Sequence, residues 1–270
     1  MGGKAIPNAQ HMKREHFEPR HFDLFIKRMF HMFEGYVKIP SDDVRSDIVG
    51  SSTLKNEFND IDFMFELKND ACFGYTKGLD LARLKVWTNN IACMIPNCVD
   101  FSKLFFVSVP YFTPQRTVCQ VDLQFVLNKK WSSWAFGTAS GKYKMAHRNE
   151  WFFQVAQLFL HYDEVQDCTY RYWFHPNLGY LYGHRNGKHD KIALSEADHL
   201  RVVSWDPENF LSHIFTCNPS REQAENFEDV WYLIGTGHLN PLIDQQKLIK
   251  NYIAAIKKKG LEVPLEYTVV

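Results

Sequence analysis

The chain has 270 residues, 31 basic and 31 acidic side chains and a formal net charge of zero. That length suits one large domain or two small ones, and the neutral balance excludes a bulk polyanion binder, so any nucleic-acid contact has to come from a local basic groove. Six cysteines without a recognisable signal peptide predict a reducing, cytoplasmic setting, and no apolar run nears the roughly 20 residues that a membrane-spanning helix needs.

In chain order, residues 1–20 read as a flexible tail, polar at its start and rich in histidine further on (His11, His16 and His21). Residues 21–36 place Phe22, Phe25, Ile26, Met29 and Phe33 on one helical face. Residues 44–49 form a short strand that runs into Gly50. Residues 60–67 form a second strand, with Ile61, Phe63 and Phe65 alternating against Asp60, Asp62 and Met64. A helix follows over 80–94. Strands over 104–112 and 116–127 flank Thr113-Pro114-Gln115 as an antiparallel hairpin. Past Gly141 the character changes. Residues 143–160 are a strong helix, 170–174 and 180–183 a hairpin around Pro176-Asn177-Leu178-Gly179, and 206–215, 222–234 and 242–259 further helices. The fold class is therefore α+β: a mixed α/β half over residues 21–141 and a mostly helical half with a hairpin over 142–270.

The chemistry concentrates around Gly50. A Gly50-Ser51 turn offers backbone N–H groups and a hydroxyl to phosphate. Asp60 and Asp62 lie one residue apart in a strand and so project from the same face. Two adjacent carboxylates repel, and burial of either is costly; a divalent cation removes the conflict. Asp122 stands alone between Val121 and Leu123 in a later strand. Three carboxylates converging from neighbouring strands can hold two Mg²⁺ ions (or Mn²⁺), which bind hard oxygens and can activate a hydroxyl while stabilising a leaving pyrophosphate.

These residues resemble the nucleotidyltransferase superfamily, the fold of DNA polymerase beta, CCA-adding enzymes and poly(A) polymerases. The matching pattern is Ile48-Val49-Gly50-Ser51, then Asp60-Ile61-Asp62, then Asp122. It continues through Trp131 and Trp134, the small-residue turn Phe136-Gly137-Thr138-Ala139-Ser140-Gly141 and His147-Arg148-Asn149. The likeness spans about residues 44–160 and is nearest to the palm of the polymerase beta group. It implies a palm domain in which Asp60 and Asp62 hold the nucleotide-bound metal and Asp122 completes the second metal site. Gly50 and Ser51 would contact the terminal phosphates, with Ser140, Lys144 and Arg148 completing the nucleotide site. The implied partners are an NTP and a hydroxyl acceptor, foremost a nucleic-acid 3′ end. No helix-hairpin-helix DNA clamp precedes the palm, so the resemblance supports nucleotidyl transfer better than templated polymerisation. The rival readings are a non-catalytic, antitoxin-like member of the fold and a transferase acting on a small molecule or a protein side chain.

Other features are weaker. Lys142, Lys144 and Arg148 cluster after the small-residue turn, where they fit a triphosphate, an acceptor backbone or a solvated helix face. Tyr170, Tyr172, Tyr180 and Tyr182, with Arg171, His184 and Arg185, fit base stacking or an aromatic core hairpin. Cys93 and Cys98 lack a second close pair and read as free thiols. Lys257-Lys258-Lys259 complements a helix C-terminus.

Overall fold

The structure, a computed structural model, describes residues 5–50, 56–68, 78–101, 105–137, 143 and 145–264. The chain divides into two compact units, residues 1–138 and 139–270. Both are α+β, and no described helix is long and apolar enough to cross a membrane.

The first unit is built on a mixed five-stranded sheet. Its strands are β2 (Ile48–Val49), β4 (Asp60–Glu66), β5 (Val99–Phe101), β6 (Phe106–Phe112) and β7 (Val118–Val126), in the order β2-β4-β7-β6-β5. The β4·β7 pair is parallel and the other pairs are antiparallel. Strict alternation gives the sheet two unlike faces. Ile61, Phe63, Phe65, Val121, Leu123 and Phe125 occupy one face and are all at most 1% exposed. Helices α1 (Pro19–Phe33) and α2 (Leu81–Met94) bury that face. Phe22 meets Tyr111 at 5.4 Å, Phe33 meets Phe65 at 4.9 Å, and Trp87 meets Phe125 at 4.9 Å, all edge to face. Pro19 opens α1 at a position where its missing N–H costs nothing, and Asp80 caps α2 by accepting from Arg83 N. The other face carries Asp60, Asp62, Gln120, Asp122, Gln124 and Ser108. It turns apolar only at its far end, where Val49, Met64 and Val126 pack with Phe136 of α3 (Lys129–Phe136).

Two sequence expectations are corrected in this unit. Residues 44–47 form a 3₁₀ turn, and the strand begins only at Ile48. The side chain of Asp43 caps that turn through Arg45 N, an alternative the backbone takes in place of a longer strand. Nor do residues 5–18 form a loose tail. Strand β1 (Met12–Lys13) pairs with β3 (Glu57–Phe58), Gln10 N donates to Val118 O at 2.8 Å, and Ile6 and Met12 are buried.

The second unit carries more sheet than the sequence predicts. The expected hairpin is present as β9 (Cys168–His175) and β10 (Gly179–Asn186). It is extended on both sides by β8 (Leu160–Asp163) and β11 (Asp198–Ser204) into a four-stranded antiparallel sheet, order β11-β10-β9-β8. The unit is thus α+β in its own right. Helices α4 (Met145–Leu158) and α5 (Pro207–Ile214) pack on it through Phe152, Phe174 and Phe210, with ring centroids 5.2–5.4 Å apart. The predicted helix over 222–234 is a short 3₁₀ turn followed by α6 (Phe227–Gly235), divided where Asn226 caps the second piece. Helix α7 (Gln245–Lys258) lies along α4, with Tyr252 Oη 3.0 Å from His147 Nδ1.

One buried ion pair ties together the segments that flank the polar face of the first sheet. The Asp47 carboxylate, 2% exposed, accepts from Ser41 N and Ser41 Oγ, each at 2.9 Å, and from Lys129 Nζ at 2.8 Å. It joins the turn before β2 to the first residue of α3. Lys129→Ala leaves that carboxylate buried without its counter-charge and should cost about 3 kcal/mol in urea unfolding. Lys38→Ala breaks the half-exposed Lys38–Glu66 pair and should cost less than about 1 kcal/mol.

Candidate active site

The pairing of β4 with β7 sets Asp62 directly opposite Asp122 and Asp60 opposite Gln120. On the outer side of β7, Ser108 of β6 stands opposite Asp122, and Val49 of β2 stands opposite Asp62. Backbone hydrogen bonding therefore sets the two carboxylates side by side. Gly50 follows at the end of β2 with φ +75°, a conformation that disfavours side chains. A Cβ there would also lie 2.8 Å from Asp62 Oδ2. Both backbone and contact demand glycine, and the backbone comes close against the Asp62 carboxylate.

Each carboxylate is held by neutral donors from the same sheet face. Ser108 Oγ donates to Asp122 Oδ1 at 2.5 Å, and Gln120 Nε2 donates to the same oxygen at 2.9 Å. Gln124 Nε2 donates to Asp62 Oδ1 at 2.9 Å. The Gln120 amide is itself oriented. Its Oε1 accepts from Ala5 N at 2.9 Å and Ile6 N at 3.2 Å, so the NH₂ end has to face Asp122. The N-terminal segment thus reaches the third carboxylate through one side chain.

Burial and repulsion raise both acids. Desolvation lifts Asp62 to about 7, the Asp122 and Asp60 charges add to the rise, and the Gln124 bond opposes it. Desolvation lifts Asp122 to about 6, with the Ser108 bond opposing and the Asp60 charge adding. Mutually repelling carboxylate oxygens that resist ionisation suit a hard divalent cation as a set of donors. Their side chains turn towards the neutral donors, however. Among the described residues no group of three or more His, Cys, Asp or Glu side chains is gathered so as to hold a metal ion.

The remaining expected site residues fare differently. Ser51, Ser140 and Lys144 lie outside the described residues. Arg148 is corrected: it is 0% exposed within the second unit, where its Nη1 donates to Ala224 O at 3.2 Å and Glu225 O at 2.6 Å. The guanidinium also lies over the Phe152 ring at 5.6 Å. Burial holds its pKa down at about 9, and a guanidinium sealed among carbonyls has no surface to offer a nucleotide. Lys257 and Lys258 close α7 as expected. Cys93, Cys98, Cys119, Cys168 and Cys217 are free thiols, with Cys119 and Cys168 buried.

Two clefts lie elsewhere in the first unit. One of about 500 Å³ runs between the start of α1 and the turn at Asp42–Arg45; another of about 350 Å³ is floored by Ile48, Phe58 and Ile61. Neither is lined by Asp60, Asp62 or Asp122, so the chemistry rather than a hollow marks the candidate site.

Comparison of the chain with protein-family models, with curated proteins and with solved structures gives no match.

The raised acids carry a stability signature. Native Asp62 takes up its proton at about 7 and an unfolded aspartate at about 3.9. Between those values the native chain holds more proton, so this contribution is full below about pH 4 and is lost as pH rises through about 7. With EDTA present, Asp62→Asn should gain stability relative to wild type from about pH 4 to about pH 8, by roughly 1 kcal/mol or more. Urea midpoints measured in parallel check it; a gap independent of pH contradicts it.

Gly50→Ala should lower stability by about 1–3 kcal/mol through the left-handed backbone and the approach to Asp62, read as a lower melting temperature.

Proposed function

We propose that the chain is a Mg²⁺-dependent nucleotidyltransferase that moves a nucleoside monophosphate from an NTP to a hydroxyl acceptor, foremost a nucleic-acid 3′ end, releasing pyrophosphate. The observation that carries this reading is the register that sets Asp62 beside Asp122 on adjacent parallel strands, with Gly50 against the Asp62 carboxylate. Asp60 and Asp62 would hold the nucleotide-bound ion, and Asp122 with Asp62 the ion on the acceptor side. The bound ions would supply charge neutralisation of the triphosphate and of the attacking hydroxyl.

The chain's own groups do the positioning. Ser108 and Gln120 fix one oxygen of Asp122 and leave the second for the acceptor side. Gln124 does the same for Asp62. The missing Cβ at Gly50 lets the backbone come close to Asp62 Oδ2. Little covalent chemistry is asked of the protein, since alignment of the reactants and neutralisation of charge account for most of the acceleration in such transfers.

One observation favours a second reading, a nucleotide-binding protein of the same fold that does not turn over. Both Asp62 and Asp122 already spend one oxygen on neutral side-chain donors, as a site kept for binding alone would.

Pyrophosphate release with each NTP, Mg²⁺ and mixed nucleic-acid acceptors separates the two. Asp62→Asn and Asp122→Asn should each lower the rate by at least about 10²-fold with an unchanged circular dichroism spectrum. NTP binding that is indifferent to Mg²⁺, with no pyrophosphate from wild type, would favour the second reading.

A further inference from the structure

The sheet of the second unit has one face only partly used for packing. On that face Phe174 and Tyr180 are buried against Phe210. One step along β9 and β10 the same face presents Tyr172 opposite Tyr182, and a further step presents Tyr170 opposite His184. These four residues are half-buried, and Phe159 and His213 each come to 6.3 Å from the Tyr172 ring. Tyr170 and Tyr182 lie near parallel, 14° apart with centroids at 5.6 Å, and Tyr172 is 4.8 Å from Tyr182. The exposed Arg201 of β11 lays its guanidinium over Tyr182 at 4.8 Å.

A second observation comes from the edge strand. The β10·β11 register shifts between Tyr182 and His184, and His199 in the matching stretch of β11 adopts φ +49°. A left-handed non-glycine residue is strained, and such strain persists where the surroundings enforce a particular presentation. Here it stacks the exposed His199 ring on His184, 18° from parallel at 5.1 Å.

We infer that this outward half of the four-stranded sheet is a stacking platform for a single strand of nucleic acid. Its role as the acceptor's binding surface rests on the transferase reading above; the binding does not. Half-buried tyrosine rings, already stacked on one another and under Arg201, form an aromatic row that suits unpaired bases, whatever their identity. Sheets that take up single strands commonly use two or three outward aromatics. Arg201 supplies a cation that both stacks and pairs with phosphate. Asp163 and Asp198 share this face, so stacking rather than bulk charge would dominate.

Fluorescence anisotropy of short labelled single strands, ribo and deoxyribo, titrated with the full chain in EDTA, tests it while turnover is silent. Wild type should bind at least one of them. Tyr182→Ala should weaken binding by on the order of tenfold, and Tyr182→Trp should hold it. Arg201→Glu, at an exposed position, should weaken it and flatten its salt dependence. Absence of binding by wild type, equal affinity for duplex, or wild-type affinity in both Tyr182→Ala and Arg201→Glu overturns the inference. So does a proline-rich peptide that occupies the face more tightly than any strand. A chain that binds the strand through Tyr182 yet releases no pyrophosphate supports the platform and overturns only the transferase reading.

Discussion

The register of β4 against β7 is the constraint on which the first unit turns. Parallel pairing from Asp60↔Gln120 to Glu66↔Val126 puts seven residues of one strand opposite seven of the other. Slipping it by one would turn Phe63 or Leu123 out of a core where both are 0% exposed. The aromatic face thus enforces what the polar face would refuse, two carboxylates brought side by side. Hydrophobic burial on one side of the sheet holds an electrostatically unfavourable arrangement on the other. The cost appears in the raised pKa values of Asp62 and Asp122, and such displaced values gather at functional sites.

What surrounds those acids is a frame of neutral and charged contacts with different reach. Ser108, Gln120 and Gln124 act on the carboxylates within the sheet. Asp47 and Lys129 act one step out, joining the turn before Gly50 to the helix after β7. The N-terminal segment reaches in through Gln120, whose carbonyl oxygen takes two backbone donors and whose amide nitrogen reaches Asp122. A side chain with its acceptor end fixed in this way cannot flip without leaving buried donors unmet. Residues 5 and 6 are therefore part of how Asp122 is aimed, although they are far from it in sequence.

Much of this was legible in the chain. The alternation of Asp60, Asp62 and Met64 with Ile61, Phe63 and Phe65 gave the strand and its two faces, because period-2 burial leaves a direct trace in residue order. Asp122 stood out for the same reason. Its flanking Gln120 and Gln124 carried the same period-2 signal, yet amides in a strand pass easily as neutral filler. Only the pairing partners show that they serve the acids. Arg148 misled, since position on a helix after a small-residue turn says nothing about which way a guanidinium faces, and this one is capped by carbonyls inside the second unit. Strands β8 and β11 were missed because one is short and the other carries an irregular register, which blurs alternation. The docking of residues 5–18 was unreadable in principle: its main contacts are backbone bonds to β3 and to Gln120 and Val118, more than a hundred residues away in the last two cases.

The two units solve a shared problem in opposite ways. A sheet packed by helices on one side must do something with its other side. In the first unit the second face is polar, with Asp122 buried and Asp60 and Asp62 half-buried. In the second unit the outward face stays aromatic, and Phe210 covers only the end carrying Phe174 and Tyr180. Tyrosine is suited to that half-covered state, since its ring can pack while its hydroxyl stays wet. Phe159 and His213 approach Tyr172, and beyond them stand Arg201, His184 and His199. These groups stack on rings yet remain hydrated, a chemistry that fits a partner made of flat bases and charged phosphates.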